Sequence, residues 1–299
     1  MSRRQLVMLL ALSAIWGSSF MFIKVGVREL APSALVSGRL LVACATLALI
    51  ASARTPLGST VRALRASLGS FVAVAALNSV VPFWLLAWGE TRIDSGLAAL
   101  LQACAPLFTA LLAGLFVRAE RVTGARLAGV VVGFGGVALL VGATPSGSVA
   151  GALAVVASGF CYAASALVGA RRLRGVPPAT IAFGTTAVAS LLSLPFGLAQ
   201  LPGAVPGWKV VGSVVVLGVV GLGVAYLLYF ALITGAGASK AILVTYLVPP
   251  MALFYGAAIL GEPLRMSDFA GLGLILAGVS LGTGTLSGLR RRAAARAGA

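Results

Sequence analysis

The side chains able to do chemistry are few, and most of them sit inside long apolar runs. The stretch "SAIWGSSF" (13–20) places Ser13, Trp16, Ser18, Ser19 and Phe20 in such a run, and further runs carry Arg39, Asn78, Gln102, Ser158, Tyr162, Tyr226 and Tyr246. An amide, phenol or guanidinium surrounded by hydrocarbon must bond a neighbour, a trapped water or a solute. The chemistry these types allow is reversible binding of a molecule with a polar end and an apolar body. Bond-making chemistry lacks its usual parts. The chain has no histidine, which removes the commonest general base and metal ligand. Cys44, Cys104 and Cys161 have no metal-ligand spacing and read as packing residues, so neither a metal nor a cofactor is expected.

Composition explains why the polar groups are so confined. Hydrophobic residues make up 60% of 299 residues against 9% charged, with a mean hydropathy of +1.08, which identifies an integral membrane protein. A helix needs about 20 residues to cross the hydrocarbon core. By that measure there are ten candidate spans, near 5–23, 33–53, 66–89, 95–117, 127–143, 149–170, 178–200, 208–231, 241–260 and 268–287. The runs are continuous rather than alternating, which excludes a β-barrel. No cleavage signal follows the first run, so it is expected to remain as a helix.

The net charge of +16 would suggest nucleic acid in a soluble chain, but the basic residues here lie between apolar runs rather than on an aromatic, basic face. Their partner is the lipid head group. Lys and Arg gather before span 1, after spans 2, 4 and 6, and in the tail "RRRAAAR" from Arg290 to Arg296. By the positive-inside rule both termini are cytoplasmic, in a bacterial inner membrane.

The chain also repeats itself at a nearly constant offset. Gly69-Ser70 falls on Gly212-Ser213, Phe83 on Tyr226, Thr91 on Thr234, Ala98 on Ala241, Pro106 on Pro249, and Glu120 on Glu262. Two tandem copies of an odd number of helices must enter the membrane from opposite faces. The expected fold is therefore all-α: ten transmembrane helices as two inverted five-helix repeats around a central cavity, 1–145 and 146–288, followed by a basic cytoplasmic tail, 289–299.

At this point the residues resemble a known family, the ten-helix EamA-type branch of the drug/metabolite transporter superfamily. "AIWGSSFMFIKVGVRELAPSALVSGRLLVA" (14–43) is similar to its first helix pair. "SGLAALLQACAPLFTALLAGLFVRAERVTGARLAGVVVGFGGVALL" (95–140) resembles its fourth and fifth helices, and "ASKAILVTYLVPPMALFYGAAILGEPLRMSDFAGLGLILAGVSL" (238–281) their second copy. Two departures are Arg118-Ala119-Glu120, where glycine often precedes the glutamate, and Cys161-Tyr162, where the sixth helix often carries Trp. The resemblance implies an exporter of amino acids, other metabolites or drugs.

Helical spacing nominates the cavity walls. Ser13, Gly17 and Phe20 share one face, as do Ser158, Tyr162 and Ser165 on span 6. The alternative for these serines is close packing, with hydroxyls bonded to their own backbone. Asn78 and Gln102 should face each other or a solute, and Trp16, Phe83, Tyr162, Tyr226 and Tyr246 suit a flat apolar side chain. Pro82, Pro106, Pro249 and Pro250 each remove a helix donor and are candidate hinges. Arg39 lies about 9 Å down span 2 from Ser33, within reach of the surface, so an anchoring role is expected and a contact with a substrate carboxylate is the alternative. No carboxylate falls at mid-span, which predicts substrate-gradient-driven uniport of amino acids with aromatic or large apolar side chains; coupling through Glu90 or Asp94 at the outer mouth is the lesser alternative. A drug or organic-cation exporter is the rival. A membrane-embedded hydrolase built on "GVSLG" (278–282) is disfavoured by the missing histidine. Gly129/Gly133 and Gly278/Gly282 read as helix-contact stripes on spans 5 and 10, serving the fold of a monomer or a homodimer face.

Overall fold

The computed structural model describes residues 1–52, 57–116, 123–144 and 148–282. The basic tail expected over 289–299 and Glu120 lie outside these. Ten helices run in order: α1 Arg3–Gly26, α2 Pro32–Ser52, α3 Leu68–Glu90, α4 Ser95–Phe116, α5 Ala125–Gly142, α6 Val149–Arg172, α7 Pro178–Leu198, α8 Trp208–Ala236, α9 in two pieces, Ala238–Ala241 and Val244–Leu260, and α10 Met266–Gly282. The first eight are long and apolar enough to cross a membrane, and the last two contribute shorter apolar helices. Between α2 and α3 a short amphipathic helix, Leu57–Ala66, exposes Arg62 and Arg65 where the sequence reading placed only a loop.

Hydrogen bonds between distant segments show that helix ends alternate between two faces. On the first face, Gln5 Nε2 donates to the Gly235 carbonyl at 2.7 Å and Arg171 to Phe116 at 2.8 Å. On the second, Lys24 bonds the carbonyls of Glu90 and Ile93, Ser33 bonds Gln200, and the Gly207 amide bonds Glu29. The chain begins on the first face, where Ser2 and Gln5 form a reciprocal cap on α1.

Packing obeys an exchange of the two halves. The pair α1 with α9 is matched by α6 with α4, α1 with α8 by α6 with α3, and α2 with α8 by α7 with α3. The pairs α2 with α7, α4 with α9 and α5 with α10 map onto themselves. These are two inverted five-helix units related by a pseudo-twofold axis. Local irregularities follow it too: Ala76–Val80 of α3 and Val219–Val224 of α8 are both π-helical, and α4 and α9 are both interrupted, at Ala103-Cys104 and Ile242-Leu243.

The prolines account for part of this. Pro82 follows the π segment of α3 and Pro106 follows the break in α4, in keeping with a ring that displaces the preceding turn. In α9 the helix continues through Pro249 and Pro250, and its break lies upstream. Pro250 is exposed and Pro82 is buried away from the central space, so the hinge expectation is structurally marked only around Pro82 and Pro106.

The tightest contact joins α5 to α10. A Cβ on Gly278 would stand 2.4 Å from the Gly133 Cα and N, and one on Gly129 2.4 Å from the Gly282 N, so these backbones touch. Both glycine stripes therefore pack on each other within one chain. Changing Gly278 to Ala is expected to cost about 1–3 kcal/mol by overpacking. Gly273→Ala, on the same helix with nothing within 4 Å, is expected to change little. Thermal unfolding of the two purified variants in detergent checks the contrast.

Candidate functional site

Between the halves lies a cavity of about 420 Å³. Helix α1 contributes Trp16, Ser19, Phe20 and Ile23, which share one face by the three-and-four spacing; α3 contributes Asn78, Phe83 and Leu86; and α4 contributes Ala99, Gln102 and Pro106. From the second half come Tyr162 of α6, Tyr226 and Tyr229 of α8, and Thr245, Val248 and Pro249 of α9. Helix α2 adds Arg39. Residues from α5, α7 and α10 do not appear in the wall, consistent with their role as supports.

Of the sequence-nominated residues, Trp16, Phe20, Asn78, Phe83, Gln102, Tyr162, Tyr226, Arg39, Pro106 and Pro249 line this space. Others do not. Ser13 is fully buried and donates to the Leu9 carbonyl at 2.8 Å, while Gly17 below it packs on α9, where an added Cβ would meet Met251 at 2.6 Å. That face of α1 is a helix contact, and the cavity face is rotated from it by one residue. Ser158 is likewise buried, bonded to the Val155 carbonyl and to Gln102 Oε1, so it orients the amide rather than meeting a solute. Tyr246 packs half-buried against the core. Ser18 and Ser19 both bond the Ile15 carbonyl, the packing alternative, although Ser19 still borders the space. Leu222 and Thr245 are wall residues that the sequence reading left out, and Tyr229 joins them there.

The walls are held by specific contacts. Trp16 Nε1 donates to the Gly221 carbonyl at 3.2 Å, on the π-helical turn of α8 where the regular ladder is broken. Its ring lies 5.5 Å from Tyr229, and Phe83 lies 6.5 Å from Tyr162 across the halves. Asn78 and Tyr226 both face the cavity, one from each half.

Arg39 does not snorkel. Ser37 Oγ donates to Ser193 and Ser190 Oγ to Leu40, fixing one face of α2 on α7 and turning Arg39 inward. It is 5% exposed, its guanidinium stands 4.0 Å above the Phe83 ring, and its Nε has no hydrogen-bond partner. Among the described residues the only ion pair is Arg265 with Asp94, at 3.9 Å, so no carboxylate neutralises Arg39 in contact. A guanidinium in this setting is buried, charged and without a contacting counter-ion.

Towards the second face the two halves meet through charged groups. The Glu262 carboxylate accepts from the Ser95 N–H at 2.8 Å, the Ser95 hydroxyl at 2.9 Å and the Gly96 N–H at 2.9 Å, so the second half caps α4 of the first. Asp94 beside it is held above the usual carboxylate range, first by its half-buried position and then by the Glu262 charge. Glu90 is fully buried at the end of α3. Glu262→Ala is expected to loosen this contact between the halves. In a background without native cysteines, Leu97→Cys should react faster with a membrane-impermeant maleimide when Glu262 is Ala than when it is intact.

Comparison with known proteins agrees with this architecture. The model of the EamA-like transporter family matches the chain twice, over residues 3–142 and 149–283. A "probable terminal-alkyne amino-acid exporter" of Streptantibioticus cattleyicolor is 33% identical over 93% of this chain and 93% of its own length. A "probable amino-acid metabolite efflux pump" of Salmonella typhimurium is 30% identical over 99% of both chains. An uncharacterized inner membrane transporter of Escherichia coli is 26% identical over 92% of this chain and 89% of its own.

Proposed function

We propose a function for this chain from the premise that it belongs to the EamA-like transporter family: it exports amino acids with aromatic or large apolar side chains, by alternating access. Membership makes it a multi-pass inner-membrane transporter rather than an enzyme, and the relatives named as amino-acid exporters and metabolite efflux pumps make it an exporter. The cargo is the further step. The observation that carries it is Arg39, a buried guanidinium without a contacting carboxylate, set in a wall of Trp16, Phe20, Phe83, Tyr162 and Tyr226. A solute that offers a carboxylate to the cation and a flat apolar group to the rings satisfies both, and Gln102 and Asn78 supply acceptors for an ammonium.

The same cation weighs against a drug or organic-cation exporter, because a positive solute would enter a cavity already positive and lacking a compensating acid. The hydrolase reading loses its nucleophile: Ser280 donates to the Leu276 carbonyl within α10, and the chain has no histidine. Uniport is supported by the wall composition, which includes no Asp or Glu among the described residues. The distribution of Lys and Arg favours both termini in the cytoplasm, with halves 1–145 and 146–288 and a cytoplasmic tail over 289–299. The internal use of the α5 and α10 glycines favours a monomer.

The test is efflux of radiolabelled phenylalanine from proteoliposomes. Arg39→Gln should reduce it by about 10- to 100-fold, the worth of a charged hydrogen bond of ~1.5–3 kcal/mol. An imposed pH gradient should drive no uphill accumulation in the unmodified protein; accumulation would reject uniport.

A further inference from the structure

Two further ionisable groups, Lys24 and Glu90, lie directly beyond the cavity, towards the second face, and neither makes an ion pair among the described residues. Glu90 is fully buried, yet neither of its carboxylate oxygens has a hydrogen-bond partner. Lys24 approaches from α1, but its Nζ is spent on backbone, 2.7 Å from the Glu90 carbonyl and 2.7 Å from the Ile93 carbonyl. The ammonium and the Glu90 carboxylate are not within ion-pair distance. Buried ionisable groups in a membrane protein are costly and pair with something when they work.

Their placement says with what. Phe20 and Ile23 of α1 and Phe83 and Leu86 of α3 line the cavity. Lys24 is the next residue along α1, and Glu90 is one turn beyond Leu86 on the same face of α3. Arg39 and Glu262 are the other charges that act on Glu90 electrostatically, Arg39 from the cavity and Glu262 from the loop of the opposite half. Glu262 joins the halves at this end by holding Ser95 and Gly96, so parting them there uncovers Lys24 and Glu90.

We propose that Lys24 and Glu90 form a second binding site, assembled when the second face opens, for the zwitterionic head group of an amino acid on its way out. The solute's carboxylate passes from Arg39 to Lys24, and its ammonium meets Glu90. This rests on the amino-acid reading of the cavity. It adds that the ammonium is recognised at the exit, by the buried and unpartnered Glu90 carboxylate.

The experiment uses the full chain, unmodified and as Glu90→Gln, in proteoliposomes loaded with radiolabelled phenylalanine, 3-phenylpropionate, which lacks the ammonium, or 2-phenylethylamine, which lacks the carboxylate. Binding of phenylalanine to the detergent-solubilised protein is measured by calorimetry in parallel. The unmodified protein should release phenylalanine at least 10-fold faster than either analogue. Glu90→Gln should cut the preference for phenylalanine over 3-phenylpropionate at least 5-fold while the phenylalanine Kd moves less than 2-fold. A preference unchanged within 2-fold, or a Kd that weakens in step with the rate, overturns the exit site and leaves the cavity reading intact. An unmodified protein that releases none of the three overturns the cavity reading, and the exit site with it. Should Glu90→Gln fail to fold, Glu90→Asp serves: release at least 3-fold slower with the preference kept supports the site, and unchanged release or a lost preference overturns it.

Discussion

Hydrocarbon offers no partner to a polar atom, and that constraint orders the whole molecule. Helices satisfy the backbone, and the side chains follow the same rule. Ser13, Ser18, Ser19, Thr185, Thr186 and Ser280 each return their hydroxyl to a carbonyl three or four residues back. Where the ladder is disturbed, a neighbour intervenes, as Trp16 does at Gly221. Against this background of paired atoms, the Arg39 Nε and both Glu90 oxygens stand out as the buried side-chain atoms without partners among the described residues. All of them belong to groups in or beside the cavity, so the unmet polar demand of the fold lies along one route between its halves.

The two halves meet through contacts of opposite character. At α5 and α10, backbone lies on backbone, and no lipid chain could replace that surface without reopening it. At the second face the halves meet through Glu262 on the amides of Ser95 and Gly96, and through the partly exposed Arg265 and Asp94. An exposed ion pair is worth only about 0–1 kcal/mol, and water can take over the amides of a helix end. The inverted arrangement thus gives a rigid seam in lipid and a separable one near water, which is the division of labour that rocking between two orientations requires.

Much of this was legible in the sequence because long apolar runs and a tandem repeat are coarse signals. The ten spans, their inverted pairing and most aromatic members of the wall followed from run length and repeat position. Helical spacing was less informative. Periodicity says which residues share a face but not what that face meets, so Ser13 and Gly17 were grouped with Phe20, although α9 covers the first two and the cavity begins one residue around the helix at Trp16. Ser158 failed similarly, since its neighbour Gln102 comes from a distant segment. Distance along a helix was also a poor guide to depth. Arg39 was close enough to the surface to snorkel, but Ser37 and Ser190 lock α2 so that its guanidinium points at Phe83. Glu90 occupies a helix end and is nevertheless buried, because Lys24 and the capped start of α4 lie over it.

Arg39 and Phe83 together set a charge into an otherwise largely aromatic and apolar wall. A guanidinium over an aromatic face is held partly by the ring quadrupole, worth about 0.5–2 kcal/mol depending on desolvation, while its N–H fork stays free for a planar anion. The ring takes the place of a resident carboxylate, which would neutralise the cation and compete with the solute for it. A lysine could not reproduce this, because an ammonium is more strongly hydrated and has no flat face to stack. The pairing also accounts for the repeat's asymmetry at this point: Phe83 of α3 corresponds to Tyr226 of α8, and both line the cavity. The first half therefore presents the cation and its ring, and the second presents a phenol. The two sides of the cavity are chemically distinct.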